Sequence, residues 1–205
     1  ISADTSRLAE LDLAPKGFHL VVARFEVENH VDVIVDGYVR SGAALPLVVV
    51  GSAPYADDYT ARIESLADSR VRLLGGLWDQ ELLDALYSGA LVYYHGHSVG
   101  GTNPSLLRAI GAGAAVDAFD VSFNREVLGG AGRYWTSPDE VAALVVSAES
   151  DVEAQAARGE ESRERAALYD WDEVASGYEA LARRLALEGP TRRRPSGRRT
   201  GKVSR

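Results

Sequence analysis

Residues 90–111 read ALVYYHGHSVGGTNPSLLRAIG, and this stretch decides the fold. The apolar run Ala90–Tyr94 enters a glycine-rich loop, and the loop opens onto a predicted helix at Pro104–Gly111. Asn103 is a strong start signal for that helix. Its side chain can cap the unpaired N–H groups, and proline suits the first helical position. The stretch therefore predicts a strand, a loop and a helix of an α/β unit.

The same alternation runs outward in both directions. Strands are predicted at Phe18–Ala23, Pro46–Gly51, Val71–Leu74, Ala90–Tyr94, Ala114–Phe119 and Arg133–Trp135. Helices are predicted at Val31–Val39 (opening near Glu28), Tyr55–Ala67, Asp79–Tyr87, Pro104–Gly111, Ser122–Leu128 and Val141–Ser147, with two more after Ser150. Strands that are apolar throughout and are each followed by a helix are typical of a parallel sheet covered on both faces. Right-handed crossovers make it a doubly wound, Rossmann-like α/β sheet of about six strands.

Composition excludes several classes of protein. The 205 residues include no cysteine, which rules out disulfides, thiolate metal sites and cysteine nucleophiles. No apolar run approaches the roughly 18 residues that a membrane-spanning helix needs. The chain contains no methionine and begins at Ile1, so we expect further sequence ahead of it.

Charge divides the chain into two parts. Seven of the 22 basic residues lie in the tail 189–205, so residues 1–188 carry 15 bases against 30 acids, a net charge of −15. So acidic a body argues against a nucleic-acid partner. We predict one domain over residues 1–188 and a basic, disordered tail over residues 189–205. We expect a cytoplasmic location. The tail could simply keep the protein in solution, or it could bind weakly to the inner face of a membrane.

The loop after Tyr94 is the main candidate site, because ligands of open parallel sheets bind outside the carboxyl ends of the strands. The N–H groups at the following helix start, with the helix dipole behind them, suit phosphate. The residues assigned here to a diphosphate and its attached group are His95, His97, Ser98, Gly100, Gly101, Thr102 and Asn103. An ordinary strand-to-helix turn would use the same glycines, so that alternative stays open. No metal is expected, since no acid or third histidine lies near His95 and His97.

Three other strand ends contribute candidates. Arg24 follows the first strand and can pair with phosphate, although a surface ion pair with Glu26 or Glu28 is an alternative. Gly51 and Ser52 end the second strand, and a base or ribose could rest on backbone there. The third strand ends in a similar loop that contains Gly75, Gly76, Leu77 and Trp78. Gly129–Gly132 follows a helix and not the first strand, so it is not a dinucleotide fingerprint.

These residues resemble a known family. The runs Arg24–Asn29 (RFEVEN), Leu47–Gly51 (LVVVG), Val71–Gly75 (VRLLG), Tyr94–Leu107 (YHGHSVGGTNPSLL) and Phe119–Glu126 (FDVSFNRE) carry the resemblance. Together they resemble the C-terminal, donor-binding domain of family-4 GT-B glycosyltransferases, over roughly residues 15–187. The last two runs are most similar to the rhamnosyltransferase-like branch.

The resemblance implies retaining transfer of a sugar from a nucleotide-diphosphate donor, possibly dTDP-rhamnose, to a glycan or cell-envelope acceptor. It implies no cofactor and no catalytic metal. It also implies an N-terminal acceptor domain that this chain lacks, so the chain alone should bind donor but scarcely turn it over. By position, Arg24 would neutralise the diphosphate, Gly101, Thr102 and Asn103 would donate to phosphate and sugar, and the Gly75–Trp78 loop would seat the base.

The sequence departs from that family at three positions. Gly100 and Arg108 stand where the family has two glutamates, and Asn29 stands where it has a lysine. Arg108 remains a nucleotide-binding candidate, with pairing to diphosphate or to Asp117 as alternatives, since arginine cannot accept a hydrogen bond. A degenerate, non-catalytic binding or scaffolding module is therefore the second hypothesis. A nucleotide-sugar epimerase is the third hypothesis, and this chain lacks the nicotinamide-binding fingerprint that such an enzyme needs.

Overall fold

A computed structural model of the protein describes residues 4–53 and 55–188. These fall into two compact units with the boundary between Tyr169 and Asp170. The first unit contains a six-stranded sheet with its helices, and the second contains one helix, α8, at Trp171–Glu188. The predicted basic tail, residues 189–205, lies outside the described residues.

The six strands are parallel and lie in the order β3-β2-β1-β4-β5-β6. They are β1 His19–Val22, β2 Leu47–Val50, β3 Val71–Gly75, β4 Val92–His95, β5 Ala115–Phe119 and β6 Gly132–Trp135. The order changes direction at β1, where the chain moves from the β3 side of the sheet to the β4 side. The predicted fold class, a doubly wound parallel sheet of six strands, is confirmed.

Helices cover both faces of this sheet. In the first unit they are α1 Val31–Ser41, α2 Asp57–Leu66, α3 Gln80–Gly89, α4 Pro104–Gly111, α5 Ser122–Leu128, α6 Pro138–Ser150 and α7 Val152–Ala166. Successive strand residues point to opposite faces. Leu20 accordingly belongs to the buried cluster that contains Leu86 and Ile110, whereas Val21 belongs to the one that contains Tyr38 and Val145.

Side chains cap two helix starts, and the sequence predicts the first of them. The Asn103 side chain accepts a hydrogen bond from the main-chain N–H of Ser105, with Pro104 at the first helical position. Ser137 and Glu140 form a reciprocal capping box at the start of α6. These contacts satisfy N–H groups that a helix end leaves unpaired.

The segment before α1 differs from the prediction. The expected continuous helix from Glu28 is broken, since Val27–Asn29 forms a short 3-10 helix and α1 begins only at Val31. His30 lies between them in the left-handed region, with φ 47°. That conformation is uncommon outside glycine and carries a strain cost, so contacts elsewhere must hold it.

None of the described helices is both long and apolar enough to cross a membrane.

Candidate functional site

A cavity of about 330 Å³ lies at the carboxyl ends of β1 to β4. It is lined by eight residues that the sequence singles out: Arg24, Gly51, Ser52, Gly76, Leu77, Trp78, His97 and Asn103. It is also lined by six that sequence reasoning missed: Val22, Ala23, Val50, Leu83, Pro104 and Ser105. Within the described part of the chain, the other candidates lie outside this lining: Gly75, His95, Ser98, Gly100, Gly101, Thr102 and Arg108. The topology therefore brings residues from four separate loops to one place.

The loop that follows β1 carries Arg24 and is fixed by buried hydrogen bonds. The Asn29 amide is almost fully buried and donates to the Arg24 main-chain oxygen at 2.8 Å. The Arg24 side chain is 73% exposed, its contact with Glu26 is a loose 3.9 Å, and it also contacts the exposed Tyr55 hydroxyl. An exposed pair of this length contributes little, so the guanidinium can turn to an anion in the cavity.

The β1 loop is also tied to the loop that follows β4. The His30 ring donates from Nδ1 to the Gly96 oxygen at 2.8 Å, because a carbonyl can only accept. Its ring stacks on Phe119 with centroids 4.1 Å apart. The main-chain oxygen of Glu28 accepts hydrogen bonds from both the N–H and the hydroxyl of Ser98. These contacts account for the left-handed backbone at His30 and hold the two loops together.

Two glycines allow main chains to approach closely here. A Cβ on Gly96 would lie 2.0 Å from the Asn29 oxygen, and a Cβ on Gly51 would lie 1.7 Å from the Ala23 oxygen. Gly51 also has φ 154°, which a side chain rarely allows. The sequence shows that both positions are glycine, but only the fold shows which backbone segment lies against each of them.

Helix α4 begins at the cavity. Asn103 Oδ1 accepts from the Ser105 N–H at 2.9 Å and from the Ser105 hydroxyl at 2.8 Å. The positive end of the helix dipole thus faces a cavity that also carries Arg24, and this combination favours an anion. Ser105 could have been found in the sequence, since it lies in the first turn after a predicted Asn-Pro cap.

A buried chain of side chains runs from Ser105 to His97. The Tyr93 hydroxyl lies 3.1 Å from Ser105 Oγ and 3.2 Å from His95 Nδ1. The Ser105 proton is already donated to Asn103. The Val22 main-chain oxygen, 3.3 Å from the Tyr93 hydroxyl, can only accept, so Tyr93 shares its one proton between Ser105 and Val22. His95 Nδ1 must then carry hydrogen and donate to Tyr93. The His95 ring in turn stacks on His97, with centroids 4.5 Å apart and planes 12° from parallel.

Both imidazoles are held neutral. Burial lowers the pKa of His95 well below its ordinary value, with a smaller effect from His97. Burial, and then the nearby charge of Arg24, lower the pKa of His97 to about 4. His95 does not line the cavity, whereas His97 does. The neutral His97 ring can therefore contact a ligand in the cavity, and the neutral His95 ring stacks against it.

The end of the cavity beside the loop that follows β3 carries an exposed indole. Trp78 is 89% exposed, and a Cβ on Gly76 would lie 3.4 Å from Ser52 Oγ. Gly75 adopts φ 70° and turns the chain away from β3. An exposed indole beside open backbone can stack a planar ring such as a nucleobase.

Arg108 is turned away from the cavity. It donates to Asp84 at 2.7 Å and to the Gln80 side chain at 2.7 Å, and it lies over the Tyr87 ring. Its partner is thus Asp84 on α3, and not Asp117.

The buried Asp117 is paired instead with Arg133 at 3.1 Å and Arg158 at 2.7 Å. The charge of Asp117 is compensated, which explains how a carboxylate lies inside an apolar strand.

No group of three or more histidines and carboxylates with metal-site geometry occurs among residues 4–53 and 55–188.

Comparisons with known proteins rest on structure alone. No protein-family model matches the chain, and no curated protein sequence matches it. Sucrose-phosphate synthase from Thermosynechococcus elongatus is similar with a TM-score of 0.79 and 23% identity, over 92% of this chain and 50% of that one. Anabaena HepE in complex with UDP is similar with a TM-score of 0.74 and 16% identity, over 89% and 52%. The pneumococcal O-GlcNAc transferase GtfA, in complex with UDP and GlcNAc, is similar with a TM-score of 0.69 and 18% identity, over 90% of this chain and 38% of that one.

The chain spans about half the length of these structures or less. At such identities the likeness shows the fold alone. The chain has the Rossmann-like α/β fold of a part of the GT-B glycosyltransferases.

Proposed function

We propose that this chain is the donor-binding domain of a retaining glycosyltransferase. In this proposal it holds a nucleotide-diphosphate sugar, and the sugar passes to a glycan or cell-envelope acceptor. The observation that carries the proposal is the cavity itself, in which Arg24 and the start of α4 lie beside Trp78 and His97. An anion site next to an exposed indole and a neutral imidazole matches the three parts of such a donor: diphosphate, base and sugar.

Electrostatics support a diphosphate in this place. The Arg24 side chain is largely exposed and in the described structure contacts only the exposed Tyr55 and, at 3.9 Å, Glu26, and the N-terminus of α4 adds a positive dipole. Fixed donors of this kind also stabilise the charge that builds on a departing diphosphate. No metal is needed for that role in the proposal.

The similar structures support a nucleotide donor. HepE is recorded in complex with UDP, with UDP and glucose, and with UDP-glucose. For this chain, rhamnose carried on dTDP is the first sugar that we propose, on the resemblance of residues 94–107 to the rhamnosyltransferase-like branch. We further propose an acceptor domain on the same polypeptide ahead of Ile1 and a cytoplasmic location, with the basic tail touching the inner membrane surface.

Isothermal titration of the chain with dTDP, UDP and GDP and their sugars tests the proposal. We expect at least one nucleotide-diphosphate sugar to bind with a stoichiometry of one. Arg24→Ala should weaken that binding, whereas Arg40→Ala, which removes one charge from the last turn of α1 and outside the cavity lining, should not. If none of the nucleotides or their sugars binds the wild-type chain, the proposal is wrong.

A degenerate, non-catalytic module is the second candidate, and the Arg108 contact favours it. Where the resembling enzymes accept hydrogen bonds with a glutamate, this chain has a guanidinium bound to Asp84 and Gln80. The double variant Asp84→Asn with Arg108→Glu restores an acceptor without placing two carboxylates together. A large gain in donor affinity would favour the degenerate module, and unchanged affinity would favour the active domain.

A further inference from the structure

The strand order fixes the sequence of groups along the cavity. Its loops follow β3 (Gly76–Trp78), β2 (Gly51, Ser52), β1 (Arg24) and β4 (His97). Neighbouring strands lie about 4.8 Å apart, so the β4 loop is roughly 14 Å from the β3 loop, with Arg24 between them. A ligand with its planar base at Trp78 and its diphosphate at Arg24 brings its next group to His97.

His97 is held rigidly at that end. Its main-chain oxygen accepts from the Asn124 amide at 3.0 Å, and its ring stacks on His95. Nδ1 of His97 is buried without a hydrogen-bond partner among the described residues. Nε2 is therefore the ring nitrogen left to meet a ligand.

The electrostatic surroundings keep this ring uncharged. Arg24 and His30 act on it in the same direction as burial, and Glu28 acts against them. The net effect lowers the pKa of His97 to about 4, so the ring is neutral near pH 7. A neutral imidazole gains little from phosphate, but it can donate to or accept from a hydroxyl.

We propose that His97 is a specificity-determining residue that recognises a hydroxyl of the transferred sugar through its neutral ring, with His95 and Tyr93 as positioning residues. This inference rests on the proposed function. It assigns His97 to the sugar and not to the nucleotide. In this proposal, the role of the buried His95 and Tyr93 is to fix the orientation of the His97 ring.

The test compares a nucleoside diphosphate with its sugar. Isothermal titration with dTDP and dTDP-rhamnose, and with UDP and UDP-glucose, is carried out on wild type and His97→Ala. One neutral hydrogen bond corresponds to a loss of about 2- to 13-fold in affinity. We expect that loss for the nucleotide sugar, with affinity for the bare nucleotide within about twofold of wild type.

The matched control is Val99→Ala in the same loop, since Val99 is exposed and does not line the cavity. It should leave both affinities unchanged. His97→Gln keeps a neutral donor and acceptor and should recover part of the sugar affinity, which a purely steric role of the ring would not predict. Retained nucleotide binding shows that each variant is folded.

The pH dependence gives a second readout. A nucleotide sugar has no phosphate that titrates near neutral pH, so wild-type affinity should be flat between about pH 5.5 and 8. Affinity that rises on acidification in wild type but not in His97→Ala would mean a charged ring on phosphate, and would overturn the proposal. Equal losses of nucleotide and nucleotide-sugar affinity in His97→Ala would overturn it as well. If wild type binds none of the dTDP, UDP and GDP nucleotides or their sugars, the proposed function itself fails.

Discussion

The side-chain amide of Asn29 donates a 2.8 Å hydrogen bond to the main-chain oxygen of Arg24, and this bond spans the turn that carries the cavity's guanidinium. Asn29 is 3% exposed. Although it stands where the resembling enzymes have a lysine, it acts here on the backbone and adds no charge. The turn is thereby fixed before any ligand arrives.

Asn29→Asp tests this role. The change keeps the shape but turns a carboxylate oxygen toward a carbonyl oxygen, so a buried hydrogen bond is replaced by repulsion. We expect the free energy of unfolding, measured by denaturant titration, to fall by about 1–3 kcal/mol. Donor affinity should fall with it, because Arg24 is no longer held in position. Unchanged stability would show that the amide is not needed to hold the turn.

Arg24→Ala should weaken donor binding by roughly 1.5–3 kcal/mol, the range for a hydrogen bond to a charged group. It should also raise the pKa of His97, which is lowered mainly by burial and next by the Arg24 charge. Titration of the His97 ring by NMR measures the second effect without any ligand. A donor dissociation constant equal to that of wild type would remove Arg24 from the site.

Arg108 and Asp84 should behave as a coupled pair. Their contact is 2.7 Å and both side chains are three-quarters buried. Arg108→Glu places two carboxylates together and should lower the free energy of unfolding more than either Arg108→Ala or Asp84→Ala does. A double-mutant cycle on the two alanine changes should give a coupling energy of about 0.5–3 kcal/mol. Additive effects would mean that the ion pair contributes nothing.

The strands could be predicted from sequence because the four inner strands are short, mostly apolar runs that are almost fully buried. The edge strands β3 and β6 are only half-buried and contain Arg72 and Arg133, but each still follows the alternation of strand and helix. All six predicted strands are present, with ends that differ from the prediction by at most two residues. The cap at Asn103 could be predicted from the Asn-Pro pair alone. The break at His30 could not be read, because its left-handed backbone is stabilised by Gly96, 66 residues away. Local sequence cannot report such a contact.

The candidate site was predictable in part for the same reason. Arg24, Trp78 and His97 follow strands, so the rule for parallel sheets brings them together. The orientation of Arg108 depends on Asp84 and Gln80 in another helix, and the pairing of Asp117 depends on α7. These partners are distant in sequence, and the pattern that predicts helices does not say which faces meet.

Glu149 should make stability depend on pH in the acid range. Burial alone would raise its pKa, but hydrogen bonds from His19 and from the main-chain N–H groups of Ala44 and Leu45 lower the pKa to about 2. A folded-state pKa below the ordinary value of 4.5 means that the stabilisation is complete above about pH 4.5. It is lost as the pH falls toward 2.

Glu149→Gln should therefore lower the free energy of unfolding near pH 6 by about 1–3 kcal/mol. The difference from wild type should shrink as the pH falls from about 4.5 to 2. Denaturant titrations at several pH values measure it. A difference that stays constant over that range would show that the Glu149 charge has no part in stability.

Asp117 should be the most sensitive polar position in the sheet. Its carboxylate is fully buried between Arg133 and Arg158, which join β6 and α7 to β5. Asp117→Asn keeps the shape but leaves two guanidinium groups without their counter-charge. Breaking a buried pair in this way typically costs about 3–5 kcal/mol, so the variant should unfold at clearly lower denaturant concentration.

Asp120→Asn is the matched control, since Asp120 forms a surface ion pair with Arg125 one residue beyond the end of β5. Water screens that pair, so its loss should cost far less than the loss of the Asp117 charge. Because Asp117 does not line the cavity, donor affinity of the folded Asp117→Asn protein should stay near wild type. Equal losses of stability in the two variants would mean that the buried charge holds neither β6 nor α7, and that apolar packing alone fixes this edge of the sheet.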